Sequence, residues 1–161
     1  MAKVILLCGK ICSGKSTYAR MLQKELPAAV SLSCDELMLT LFPEGTGEHH
    51  DTLALRAQQY LYALSLEVLA AGSDVILDWG FWRREQRDNT RAFYASHGIP
   101  CALHYVDSAP EIWQRHVAAR NQAVRDGQVT AYEVDEGLIA KMESRFQAPE
   151  PEEIDVLYRP E

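Results

Sequence analysis

An apolar run from Val4 to Cys8 leads directly into Gly9-Lys10-Ile11-Cys12-Ser13-Gly14-Lys15-Ser16, and a helical pattern follows at once. The spacing G-x-x-x-x-G-K-[ST], set between a strand and a helix, constrains the fold more than any other feature of the chain. Gly9 and Gly14 let the backbone turn tightly and aim its N–H groups inward, at the positive end of the following helix. Such a nest suits phosphates. Lys15 can reach β and γ oxygens as a mobile positive charge, and the Ser16 hydroxyl can ligate the Mg²⁺ that bridges them. The candidate contacts to ATP in this segment are Gly9, Lys10, Ile11, Cys12, Ser13, Gly14, Lys15, Ser16 and the adjoining Thr17.

Further apolar runs occur at Ala29 to Leu32, Asp74 to Leu77, Cys101 to Val106 and Ile154 to Tyr158. Between them lie helical patterns at Ser16 to Leu26, Thr52 to Ala71, Arg83 to Ser96, from Ala109 onward behind a Ser108/Glu111 capping box, and Tyr132 to Phe146. The alternation predicts an α/β, three-layer P-loop fold, with a five-stranded parallel sheet covered by helices on both faces. The length of 161 residues and an apolar fraction of 47% suit one domain over residues 1–161. A net charge of −7 disfavours extended nucleic-acid binding and attachment to an anionic membrane. The apolar run at the start is too short for a signal peptide or a membrane span. Four cysteines, at positions 8, 12, 34 and 101, form no CxxC pair and read as free thiols of a reducing compartment, so a cytoplasmic protein is expected. Nothing in the sequence bears on the oligomeric state.

Open α/β sheets bind ligands beyond the carboxyl ends of their strands. Asp78 ends Val75-Ile76-Leu77-Asp78 and qualifies as a second Mg²⁺ ligand, directly or through water, with a solvated or capping Asp as the alternative. Asp35, in Leu32-Ser33-Cys34-Asp35-Glu36-Leu37, qualifies as the group that accepts a hydrogen bond from an acceptor hydroxyl and orients it for in-line attack. It also qualifies as a plain helix cap.

These residues resemble those of small P-loop phosphotransferases: chloramphenicol phosphotransferase, zeta-type toxins and the 5′-kinase domain of polynucleotide kinases. The resemblance covers nearly the whole chain, through the Gly9–Ser16 loop, the segment carrying Asp35, the Val75–Asp78 strand and Arg115-His116-Val117-Ala118-Ala119-Arg120-Asn121. It implies an ATP-dependent kinase with a helical lid over about residues 115–130, in which Arg120, with Arg115 and Arg125, closes over the nucleotide and neutralises charge on the migrating phosphoryl group. It also implies catalytic roles for Asp35, Lys15 and Arg120. One departure bears on the acceptor. Polynucleotide 5′-kinases of the group tend to carry an Arg three residues after the acceptor Asp, whereas Met38 stands here, followed by Leu39, Leu41 and Phe42. A small, partly apolar hydroxyl acceptor is therefore expected, with a nucleoside or polynucleotide 5′-hydroxyl as the alternative, unless these side chains simply pack in the core.

Other features read two ways. Arg83, Arg87 and Arg91 form either a solvated face beside Glu85 and Asp88 or, at Arg83 or Arg84, an anion site. Trp79, Phe81 and Trp82 either stack on an acceptor or pack a loop. His49 and His50 lie in a Pro43–Asp51 loop that reads as a mobile surface segment, with no further metal ligand near. Rival functions are a P-loop ATPase and a nucleotide-sensing regulatory protein. Trp79 stands where many such ATPases place a water-orienting Glu, and no Asn-Lys-x-Asp guanine motif is present.

Overall fold

The computed structural model describes residues 1–161. Five strands, β1 (Val4–Cys8), β2 (Val30–Leu32), β3 (Val75–Gly80), β4 (Cys101–Val106) and β5 (Val156–Tyr158), form one parallel sheet in the order β2-β3-β1-β4-β5. Six α-helices accompany them: α1 (Lys15–Glu25), α2 (Cys34–Leu41), α3 (His50–Ala70), α4 (Arg84–Ser96), α5 (Pro110–Arg125) and α6 (Glu136–Arg145). This is the α/β architecture read from the alternation of apolar runs. No helix is long and apolar enough to cross a membrane.

The period of a strand explains the two cores. Val4, Leu6 and Cys8 of β1 point to one face, where they join Leu77, Trp79 and Phe81 of the β3 region and Leu61 and Leu69 of α3. Ile5 and Leu7 point to the other and meet Tyr18, Ala19 and Leu22 of α1. Both faces are covered, so β1 needs no polar residue and has none.

Three boundaries differ from those expected. The helix at Ala109 has no side-chain cap, because the Ser108 hydroxyl donates instead to Ser13 O at 2.6 Å; Pro110, with its preset φ and missing N–H, opens α5. The last helix begins only after Asp135, whose carboxylate accepts from Leu138 N, rather than at Tyr132. Part of the expected Pro43–Asp51 loop is ordered as a 3-10 turn at Gly47–His49 that runs straight into α3.

The exit of β3 is coupled to the glycine-rich loop. Leu7 pairs with Asp78 but Cys8 pairs with Gly80, so Trp79 is an extra residue that bulges the ladder. Gly80 has φ 87°, and a Cβ there would lie 2.8 Å from Trp82 Nε1. Its carbonyl accepts from Gly9 N at 3.0 Å, tying the end of β3 to the first residue of the loop.

Candidate active site

Sterics hold the loop in shape. A Cβ on Gly9 would sit 2.6 Å from Ser13 Oγ and 2.7 Å from Val106 O, while Gly14 adopts φ 102° as the residue before α1. Cys12 also lies in the left-handed region, at φ 58°. The N–H groups that open α1 have no partner inside the helix, which leaves them for an anion. The Lys15 ammonium donates to Lys10 O at 2.8 Å and Gly9 O at 3.2 Å. Burial lowers its pKa, and the charges of Asp78 and Asp35 work against that shift.

Across the bulge, Ser16 Oγ donates to Asp78 Oδ2 at 3.0 Å. Asp78 is 7% exposed, and burial raises its carboxyl pKa while Lys15 and Ser16 pull it back. The hydroxyl and the carboxylate are the hard oxygen donors that Mg²⁺ takes. They come from positions 62 residues apart and meet because β1 and β3 are neighbours in the sheet. The donor set suits Mg²⁺ held partly by phosphates, a mode that needs only one or two protein ligands.

Asp35 is not a cap. The residue before α2 is Ser33, whose hydroxyl accepts from Glu36 N at 3.1 Å, and Asp35 sits in the first turn with its carboxylate exposed and engaged in no hydrogen bond or ion pair. Its charge is felt at both Lys15 and Asp78, which places it on the same side of the sheet end. Met38 is buried in the core against α3, whereas Leu41 is exposed, so the apolar run after Asp35 is mainly packing.

A second layer, which sequence reasoning missed, grips the loop from α5 and α6. Trp113 Nε1 donates to Ile11 O at 2.7 Å, His116 Nδ1 to Cys12 O at 3.1 Å, and Ile11 N to Met142 Sδ at 3.2 Å. Lys10 Nζ lies 5.9 Å and 5.7 Å from the ring centres of Trp113 and Phe146. These partners are about a hundred residues from the loop, so no local motif reveals them. The one available signal is the spacing of Trp113, His116 and Arg120 along one helical stripe.

The three arginines assigned to the lid separate. Arg120 Nη1 is 3.6 Å from Cys12 Sγ and Nη2 donates to Tyr132 O at 3.3 Å, while its buried Nε has no partner. Arg125 instead pairs with Glu133, and Arg115 is exposed without a side-chain partner. Of the three, Arg120 alone reaches the loop.

In the β3–α4 region the structure corrects one reading and decides another. Arg87 belongs to no solvated face: it is fully buried, with Nε 2.8 Å from Glu153 Oε1 and Nη1 donating to Phe81 O and Gln147 O at 3.0 and 2.9 Å. Four-residue spacing could not separate it from Arg83 and Arg91, because Glu153 and Gln147 come from a distant segment. Trp79 and Phe81 stack on each other inside the core, and Tyr62 meets Trp79 edge-on, so neither ring is free for a ligand.

A family model described as an AAA domain, AAA_33, matches residues 4–149. Curated protein sequences give no match. Among solved structures, a putative kinase from Chloroflexus aurantiacus is similar with TM-score 0.73 at 14% identity, over 98% of this chain and 86% of that one. Kti12 of Chaetomium thermophilum, solved with ADP-AlF3, gives 0.72 at 20% identity over 97% and 87%. The APS kinase CysC of Mycobacterium tuberculosis, solved with AMPPNP and APS, gives 0.61 at 21% identity over 99% and 88%. At these identities the likeness concerns the fold.

Proposed function

This chain belongs to the AAA domain family, and from that premise we propose that it is an ATP-dependent kinase that transfers the γ-phosphoryl group to a hydroxyl of a small-molecule acceptor. The observation that carries the reading is the 3.0 Å contact between Ser16 and Asp78 beside Lys15, with the unpartnered Asp35 carboxylate near enough for its charge to act on Lys15 and Asp78. Solved neighbours support it, among them kinases and two proteins that hold AMPPNP or ADP-AlF3.

The loop backbone and the start of α1 bind the phosphates. Lys15 leaves its two carbonyl acceptors and follows the charge on the β and γ oxygens. Ser16 and Asp78 would hold Mg²⁺, which neutralises phosphate charge when bound. Asp35 accepts the proton of the acceptor hydroxyl as its oxygen bonds to the γ phosphorus and the bond from that phosphorus to the β–γ bridging oxygen breaks, leaving ADP. Arg120, released from Cys12, supplies charge to the equatorial oxygens. A cytoplasmic location, action without a membrane or an extended nucleic acid, and a lid motion of residues 115–130 belong to the same proposal.

The test measures ADP and phosphorylated product against added hydroxyl compounds. ADP that forms in step with phosphorylated acceptor supports a kinase. ADP formation that ignores every acceptor would make the protein an ATPase, and ATP binding with no turnover would make it a sensor.

A further inference from the structure

Beyond the carboxyl end of β3, an open cleft of about 390 Å³ runs between α3 and α4. Leu55, Tyr62 and Phe93 give it an apolar wall, and Gln58, Asn89 and Arg83 its polar groups. A polar hollow of about 700 Å³ continues it around the start of α4, where Arg84 and Arg145 add positive charge. Both hollows share Arg83, Glu85 and Asn89.

The arginines here are not equivalent. Arg84 pairs with Asp88 and Glu152, and Arg145 with Asp51. Arg83, the residue that precedes α4 at the junction of the two hollows, has an exposed side chain with no hydrogen bond or ion pair. The first N–H of the thirteen-residue helix, that of Arg84, already donates to Gln147 Oε1 at 2.9 Å, so the unpaired Arg83 guanidinium, a forked donor at the positive end of the helix, is the group that favours an anion. Glu85 opposes it from one side of the cleft, and Asp88 is already engaged by Arg84. At one end of the cleft, Arg83 lies three residues beyond Gly80, whose carbonyl accepts from Gly9 N of the glycine-rich loop at 3.0 Å. Gln58 on its α3 wall adjoins the Cys34 thiol, the residue before Asp35, and Arg83 lies five positions after Asp78.

We infer that this cleft is the acceptor subsite and that the acceptor is a small hydroxyl compound with an anionic group, which Arg83 clamps while its apolar part lies on Leu55, Tyr62 and Phe93. The inference rests on the kinase reading for the fate of the hydroxyl. It stands apart from that reading for the recognition of the anion. Carboxylate and phosphate esters share the chemistry, and matched pairs distinguish them: gluconate with sorbitol, and glucose 6-phosphate with glucose.

The experiment titrates these four probes into the whole chain saturated with AMPPNP and Mg²⁺, by calorimetry, and repeats the titrations with Arg83→Ala and Glu85→Gln. At least one anionic probe should bind about tenfold or more tightly than its neutral partner. Arg83→Ala should weaken that probe about 10- to 100-fold, the loss of a charge-assisted hydrogen bond, and leave the neutral partner unchanged. Glu85→Gln should strengthen the anion severalfold by removing an opposing charge. With ATP in place of AMPPNP, phosphorylated product from the bound probe confirms the link to transfer. Anion selectivity that depends on Arg83 without product formation would overturn the kinase reading and leave the recognition site standing. Equal binding of charged and neutral partners, no binding of either anionic probe, or indifference of the anion to Arg83→Ala would overturn the inference.

Discussion

The two halves of the site are built differently. On the nucleotide side, Ile11, Cys12 and Ser13 are each tied by backbone atoms to α5, α6 or the segment just before α5, and the loop has no freedom to collapse. On the proposed acceptor side, Asp35 in the first turn of α2 and Arg83 just before α4 are exposed and unpaired, and both helices are anchored in the core by their other faces. A triphosphate offers the same charges in every kinase, so a rigid cradle serves it. An acceptor varies, and free side chains on fixed helices can be exchanged without disturbing the fold.

If the halves are as distinct as this, substitutions in them should separate binding, rate and stability. The largest effect is expected from Lys15→Ala, which removes the charge aimed at the β and γ oxygens and should take phosphoryl transfer below detection with an unchanged circular dichroism spectrum. Transfer near the wild-type rate would dissolve the nucleotide half altogether. Arg120→Ala should lower kcat by about 10³ or more, as loss of a transition-state arginine does, whereas Arg125→Ala, which breaks only an exposed pair with Glu133, should change it little. Equal losses in both variants would mean that contact with Cys12 does not mark the acting arginine.

The Arg87–Glu153 pair belongs to neither half: it is buried and ties α4 to the segment before β5. Arg87→Ala leaves a buried carboxylate alone and should cost about 3 to 5 kcal/mol by denaturant unfolding. Burial raises the Glu153 carboxyl pKa, yet the Arg87 guanidinium and the Glu150 N–H more than offset it, so its folded value lies below 4.5. That contribution is complete above the unfolded value and is lost as pH falls through the folded one. Wild-type Tm should therefore drop more steeply below about pH 4.5 than that of Glu153→Gln, and parallel curves would deny the pair this role. The smallest effect belongs to Ser33→Ala, a lost cap worth about 1 kcal/mol or a few degrees in Tm, with turnover preserved.

How much of the molecule is legible in the chain depends on the range of the interactions. The order of strands and helices, the glycine-rich loop and the candidate pair Ser16 and Asp78 rest on periodicity and short motifs, and the sheet brings that pair within 3.0 Å. Asp35 is ambiguous in sequence because Ser33, Asp35 and Glu36 all suit a helix start, and only the backbone shows which one caps it. Trp113, His116 and Met142, and Arg87 in its bonds to Gln147 and Glu153, escape a sequence reading because these partners lie 60 to 131 residues away, where spacing carries no information. The bulge at Trp79 escapes for the same reason, since it exists only in the register of β3 against β1.

The most direct test is to measure ATP affinity, Tm and transfer rate together in Asp35→Asn, with an acceptor that the wild-type protein phosphorylates. In the proposed site the triphosphate and its Mg²⁺ are held by the loop, Lys15, Ser16 and Asp78, so ATP affinity should persist, and Ser33 caps the helix, so Tm should persist too. Transfer should fall by about 10² to 10⁴, or roughly 3 to 5 kcal/mol of transition-state stabilisation. An Asp35→Asn protein that transfers phosphoryl groups at the wild-type rate would contradict the acceptor site placed at Asp35.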